Sequence, residues 1–358
     1  MCSSCCKLNK SLLCILLYTK AVNSMNSERQ PKSMTLKLIR HWFPVSNRTR
    51  ISRLNGGAAS YNWKFNYNGK KYVLKVLEEN KPKAELFLEY KIIKYIKESG
   101  FHYSIPGLLL SKNSFPFVKS GNKIYLIHEY IDGNKCNRIT ASEAKQIGVM
   151  IGELHSIIKS YSHNFKRSMG YHTISMLKKR FYSGKKYVKQ DGSELYNLYM
   201  QGYFWFSEQI HKINLEYYRM LKVYPLHEDI STENILFKNG KVTALLDFSN
   251  IGSYRNPLIM DLAWAVHFCC KSKRSKLYDM GLIKALFYGY RTKMVFTGND
   301  ARAFISLVLL VEAATLISSY EEASKLPKSK ATKFLRLHTN AAKFITGNSK
   351  AIEKAISE

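Results

Sequence analysis

The stretch from His227 to Phe248, HEDISTENILFKNGKVTALLDF, gathers side chains that can do chemistry: an imidazole at His227, carboxylates at Asp229 and Asp247, and an amide at Asn234. Asn239-Gly240 separates two apolar runs, the strongest short signal for a β-hairpin. Such a hairpin sets Asn234 just before its first strand and Asp247 at the end of its second. Asp229 lies five residues upstream, on the loop that feeds the hairpin. Three oxygen-bearing side chains therefore converge without any distant contact. Hard oxygens in that arrangement suit Mg²⁺, which takes carboxylate, amide oxygen and water and bridges phosphates. A divalent ion held by an Asn and an Asp, beside a second Asp that can meet a hydroxyl, is the working part of a phosphoryl-transfer site.

The rest of the chain supplies elements to position that segment. The sequence YNWKFNYNGKKYVLKVL alternates polar and apolar residues around Asn68-Gly69, a second tight hairpin, and RISRL with the flexible NGGAAS precedes it. KPKAELFLEYKIIKYIKESG predicts a helix with Pro82 in its first turn, Gly100 past its end, and Leu86, Tyr90, Ile93 and Ile96 or Lys97 near one face. IYLIHEYIDG, Ile124 to Gly133, reads as a strand running into a loop. From there the pattern turns helical, starting at Ala141 with Thr140 as N-cap. Helices are expected between Tyr171 and Lys222, around Pro257 to Lys271, Arg274 to Tyr290, Asp300 to Ser319 and Lys330 to Ile345. The fold class is α+β: a small sheet-rich lobe (35–133) ahead of a larger helical one (134–358). Residues 1–34 read as an extension.

These pieces, in this order, resemble the aminoglycoside phosphotransferase and choline kinase superfamily, which includes the kinase-like homoserine kinases. HEDISTEN with LLDF is similar to that family's His-x-Asp-x4-Asn and Asp-Phe pair, and MDLAW at Met260 to Trp264 to the Asp-Leu-Ala that follows. RLNGGAASYNWKF resembles its nucleotide loop, YVLKV its phosphate-contacting lysine strand, EYKIIKYIKESG its glutamate-bearing helix, LIHEYIDG its hinge, and IGELHSI the first helix of its large lobe. The resemblance covers about Ile51 to Trp264. It implies a bilobal, protein-kinase-like fold and transfer of the ATP γ-phosphate, with Mg²⁺, to a small hydroxyl compound.

Carried over residue by residue, it implies that Asp229 orients the acceptor hydroxyl while His227 braces the catalytic loop. Asn234 and Asp247 would hold the cation, and Lys75 would touch the α- and β-phosphates and pair with Glu89. Gly56, Gly57 and Ser60 would bring backbone N–H groups to the phosphates, and backbone groups of Glu129 and Ile131 would meet the adenine. Asp261 would hold the catalytic loop from below, while His155 reads as a core residue. The sequence also departs from the pattern. Glu228 stands where Gly is common, adding a negative charge beside Asp229. Ser249 follows Asp247-Phe248, no Arg precedes Asp229, and no Ala-Pro-Glu is present, which argues against a phosphorylation-controlled protein kinase.

Net charge is +30, from 56 Lys and Arg against 26 Asp and Glu. That excess favours anionic partners without choosing among them. A basic nucleic-acid-binding protein is the rival it raises, and a pseudokinase or regulatory nucleotide-binding module is the rival within the fold. The expected partners are a nucleoside triphosphate and a small acceptor, with neither nucleic acid nor a membrane span. Seven cysteines without zinc-like pairing suit a reducing cytoplasm, the expected location. The apolar run Ser11 to Tyr18 is too short to span a bilayer. Three acceptors compete: an amino alcohol such as homoserine, choline, or an aminoglycoside. GYFWF (202–206) and Trp264 could cage a quaternary ammonium; Glu312, Glu321 and Glu322 could gather against a polycation.

Overall fold

The computed structural model describes residues 32–54, 60–77, 81–136, 138–161, 177–179, 192–211, 213, 216–253, 255–272, 277–323 and 326–357. The run Ser11 to Tyr18 and the glycines Gly56 and Gly57 lie outside them. The chain folds as an antiparallel five-stranded sheet followed by a helical body. The sheet strands are β1 (Ile51–Arg53), β2 (Ser60–Tyr67), β3 (Lys70–Leu77), β4 (Val118–Ser120) and β5 (Lys123–Glu129), in the spatial order β1-β2-β3-β5-β4. Asn68 and Gly69 both take positive φ, 47° and 73°, and Tyr67 pairs with Lys70 across them, so the expected hairpin forms.

Strand alternation decides what each sheet face meets. Leu74, Val76, Tyr125 and Ile127 turn to one side, where helix α1 (Lys32–Ile39), Trp42 and Val45 cover them in a small core. Leu77, Ile124 and Leu126 turn to the other side and join the main core beneath helix α2 (Lys83–Glu98). Lys75 shares that inner face and is 7% exposed. The buried side of α2 comprises Leu86, Glu89, Ile92, Ile93 and Ile96. Ile92 and a carboxylate join that side, and Tyr90 packs against the core half-buried.

Helix α3 (Ala141–Ser160) opens on a capping box, with Thr140 accepting from Glu143 N–H and the Glu143 side chain returning to the Thr140 backbone. Then come α4 (Glu194–Gln209), α5 (Glu216–Met220), the strand β6 (Tyr224–Pro225), the hairpin β7 (Ile235–Lys238) and β8 (Lys241–Leu245), and β9 (Arg255–Asn256) paired with β6. Helices α6 (Ile259–Cys269), α7 (Met280–Arg291), α8 (Gly298–Ala323), α9 (Lys328–Gly347) and α10 (Ser349–Ser357) complete the body. The segment Gly298–Tyr320 of α8 is long and apolar enough to cross a membrane, contrary to the expectation that no segment would be. Its apolar window is 94% buried inside the protein, as a helix apolar all round must be.

Helices α3 and α7 cross backbone to backbone. A Cβ on Gly148 would lie 1.9 Å from the Leu286 carbonyl oxygen, and one on Gly289 would lie 2.0 Å from that of Lys145. The crossing brings His155 of α3 to Tyr290 of α7, with Nδ1 3.1 Å from the hydroxyl. In an open helix Gly→Ala adds about 1 kcal/mol. At this crossing the sign reverses: Gly148→Ala and Gly289→Ala are each expected to lower unfolding free energy by about 1–3 kcal/mol in urea titrations. A gain in either variant would contradict the close approach.

Candidate active site

The site is built on hairpin β7–β8, which other loops clip on both sides. Asn239 and Gly240 take positive φ, and Lys238 pairs with Lys241 across them. Phe237 and Asn134 exchange backbone hydrogen bonds of 2.8 and 3.0 Å, while Ser104 N–H donates to Thr243 O and Leu245 N–H to Ser104 O. The Gln146 side chain grips the turn, accepting from Val242 N–H and donating to Gly240 O.

Asp229 and Asn234 meet directly. Asn234 Nδ2 donates to Asp229 Oδ2 at 2.7 Å and to Asp229 O at 3.0 Å. This orients the amide so that its Oδ1 points the other way, available to a cation. Leu246 N–H donates to Asn234 O at 2.7 Å, which sets Asp247, the next residue, beside Asn234. Lys75 Nζ reaches Asp247 Oδ1 at 2.6 Å from the small lobe. Burial works against ionisation of Asp247. The Lys75 charge and hydrogen bond outweigh it, with help from Ser249 N–H, and hold the carboxyl well below the usual carboxylate range. Asp247 takes φ 57°, a left-handed conformation rare outside glycine.

His227 is fully buried, and both its ring nitrogens are engaged. Nδ1 accepts from Asp229 N–H at 3.2 Å and Nε2 donates to Leu246 O at 2.7 Å, so only the neutral Nε2–H tautomer satisfies both. Burial also lowers its pKa. His227 thus ties the loop that carries Asp229 to the end of the hairpin. Asp261, in the first turn of α6 and 0% exposed, accepts from His227 N–H at 3.2 Å and Glu228 N–H at 2.7 Å. His155 Nε2 joins it at 3.2 Å. The loop is held from below, and His155 is a core residue with a structural partner.

Three expectations need correction. Glu89 does not take Lys75: Lys81 donates to Glu89 Oε2 at 2.5 Å, while Lys75 goes to Asp247. Lys81 stands at the N-terminal end of α2, within reach of Glu89 two turns along, and nothing in the spacing of two nearby lysines distinguishes them. Glu228 does not add a charge beside Asp229. Its φ of 54° turns it into the core, 3% exposed, where it bonds Asn256 Nδ2, itself bonded to Tyr218. Burial pushes its pKa up to about 8. Finally, the aromatic residues do not form a cage. Trp264 is 1% exposed and stacked on Phe268, with ring centroids 5.6 Å apart. Phe204 and Trp205 instead line a cavity of about 810 Å³ between α4, α8 and α9 that none of the catalytic-loop residues touches.

The remaining nucleotide-side residues are placed as follows. Ser60 opens β2 opposite Leu77, and only its backbone is described. Glu129 N–H is spent on Gly107 O, and Tyr130 N–H goes to Lys71 O. Its side chain meets Lys97. Ile131 follows in the loop after β5, half-buried. His128, which the sequence did not single out, is 9% exposed; burial, then the Lys75 charge, push its pKa down to about 4. Of the acids considered for a polycation pocket, Glu312 is 1% exposed and committed to His267 at 2.5 Å, to Tyr278 and to Lys271. The Glu321 and Glu322 side chains lie outside the described residues.

Among the described residues, no three His, Cys, Asp or Glu side chains gather about one metal-sized point. Asn234 Oδ1 and the ionised Asp247 are the hard oxygens that would suit a divalent cation such as Mg²⁺.

Residues 50–294 match the model of the phosphotransferase enzyme family. No curated protein matches significantly by sequence. Among solved structures, the chain is similar to an aminoglycoside phosphotransferase from Alicyclobacillus acidocaldarius, with TM-score 0.66 and 13% identity over 93% of this chain and 98% of that one. It is similar to a microcompartment-associated aminopropanol kinase, with TM-score 0.65 and 13% identity over 90% and 99%. It is also similar to an amicoumacin kinase solved with AMP-PNP and Ca²⁺, with TM-score 0.61 and 12% identity over 90% and 96%. At these identities the solved structures speak to the bilobal kinase-like fold, and the family match speaks to the chemistry. The chain belongs to the phosphotransferase enzyme family.

Proposed function

We propose that this protein transfers the γ-phosphate of ATP, with Mg²⁺, to the hydroxyl of a small amino alcohol of the homoserine or aminopropanol kind. The observation that carries the proposal is the unbroken run of contacts Asp229–Asn234–Leu246–Asp247–Lys75, spanning both lobes. Asp229 accepts the hydrogen bond of the acceptor hydroxyl and aligns its oxygen for attack, taking the proton as the new O–P bond forms and the bond from the γ-phosphorus to the β-phosphate oxygen breaks, releasing ADP. Asn234 and Asp247 hold the cation, which when bound neutralises phosphate charge. Lys75 adds a compact positive charge at the phosphates. The loop of Gly56, Gly57 and Ser60 offers N–H groups to them, and the Glu129 carbonyl with the Ile131 backbone receives the adenine. Residues 35–133 form the nucleotide lobe, 134–358 the acceptor-bearing lobe, and 1–34 an extension outside both.

Two observations support the amino alcohol over the other acceptors. Glu312, buried against His267 and Lys271, is not free to bind a polycation, and Trp264 and the 202–206 rings do not face each other across a quaternary ammonium.

The direct test is ADP release against a panel of aminopropanol, ethanolamine, homoserine, choline and aminoglycosides. An amino alcohol should give the highest kcat/KM. Asp229→Asn should cut acceptor-dependent turnover by about 10²–10⁴ while leaving nucleotide binding intact. Equal ADP release by wild type and variant with every acceptor would overturn the assignment of Asp229.

A second prediction concerns pH. Glu228 keeps its proton in the fold up to about pH 8, whereas the ordinary carboxyl value is 4.5. Between those values the unfolded chain binds fewer protons, so the group costs stability as pH rises through that window. Glu228→Gln retains the oxygen that accepts from Asn256 and removes the titration. Urea unfolding should show little difference at pH 4.5 and an advantage to the variant of about 2–4 kcal/mol at pH 8. Parallel pH profiles would contradict it.

A further inference from the structure

Helix α2 is tied to the segment after Asp247 by contacts that the roles above leave unused. Lys81 Nζ donates to Glu89 Oε2 and to the Ser249 carbonyl oxygen, both at 2.5 Å. The Lys81 and Glu89 side chains are only 2% and 1% exposed. Ser253 Oγ donates to Glu85 Oε2 at 2.5 Å, and Gly252 lies so close to α2 that a Cβ would meet Glu85 O at 2.2 Å. Ser249 is thus gripped at both ends: its N–H goes to Asp247 Oδ1 at 3.3 Å, and its carbonyl accepts from Lys81. Asp247, at φ 57°, needs such support, because a non-glycine residue stays in that conformation only when its surroundings over-determine it.

On the reading of Asp247 as a metal ligand, we infer that Lys81 is a positioning residue for the cation site. By fastening the Ser249 carbonyl to Glu89, it fixes the turn that aims the Asp247 carboxylate. Lys81 acts through Ser249 and Asp247 and touches no reacting atom. The same contact engages Glu89, so the lysine facing Asp247 is Lys75. A buried ammonium bridging a carboxylate and a carbonyl has no substitute nearby once removed, and the turn would then relax around Asp247. Groups one step behind a metal's ligands set metal affinity by about 10–100-fold.

The test is calorimetric binding of a non-hydrolysable ATP analogue to the full chain across a Mg²⁺ series. Wild type is compared with Lys81→Met, Lys81→Arg and Asp247→Asn. Lys81→Met should raise the Mg²⁺ midpoint about tenfold or more, leave affinity for the metal-free analogue unchanged, and speed amide hydrogen exchange at residues 249–252. Lys81→Arg, which can still bridge Glu89 and Ser249, should recover most of the midpoint. If Asp247→Asn moves the midpoint and Lys81→Met does not, the role given to Lys81 is overturned while the metal site stands. If Asp247→Asn leaves the midpoint in place, the metal reading itself falls and this inference with it. Should Lys81→Met show no melting transition, the double variant Lys81→Met/Glu89→Leu, which removes both buried charges and the contact to Ser249 together, decides the matter: an unshifted midpoint overturns the role.

Discussion

One buried carboxylate organises the large lobe. Asp261 has no exposed surface, yet it accepts two consecutive backbone N–H groups, those of His227 and Glu228, and meets His155 as well. A carboxylate without water is tolerable only when such donors surround it, and its place in the first turn of α6 adds the favourable end of the helix dipole. Two successive N–H groups aimed at one oxyanion form a nest, which requires a left-handed residue, and Glu228 supplies it at φ 54°. The loop geometry follows. With that peptide turned, Asp229 N–H falls on His227 Nδ1, the other ring nitrogen reaches Leu246 O, and loop and hairpin lock together. The glycine crossing of α3 and α7 serves the same end at one remove, because it seats His155 between Tyr290 and Asp261.

What could be read from sequence was whatever local chemistry decides. Asn68-Gly69 and Asn239-Gly240 form their hairpins because those residues reach positive φ at little cost, so the register on either side follows. Once the second hairpin was placed, the pairing of Asn234 with Leu246, the residue before Asp247, followed from strand pairing alone. Asp229 needed only a five-residue loop to join them. The Lys75 strand and the α2 helix were equally visible as elements. What failed depended on choices between similar side chains across distance. Lys75 and Lys81 both precede Glu89, and only the path of the chain after β3 decides which ammonium arrives. Glu228 looks like a charge in sequence. Burial makes it neutral, and nothing at the level of residue types announces that its neighbour will be Asn256. Trp264 and the 202–206 rings could be counted as aromatics, but helix orientation alone decides that the tryptophan faces the core.

Several charges at the site are paired or neutralised within a chain of +30. Lys75 is matched by Asp247 and Lys81 by Glu89, His227 is neutral, and Glu228 keeps its proton at neutral pH. Around the rim, Lys71 pairs with Asp132, Lys97 with Glu129 and Lys135 with Glu233. The surplus of basic residues draws anions in at long range without selecting them. Selection falls to the paired groups. Lys75 Nζ and a divalent cation would compete for the same oxygen, Asp247 Oδ1. A doubly charged cation held there would be favoured over one ammonium at that carboxylate. Asp247 can make that exchange because its backbone is held independently of Lys75, through Leu246 on one side and Ser249 on the other. A carboxylate aimed by its own turn, and not by its counter-ion, can change partners without moving.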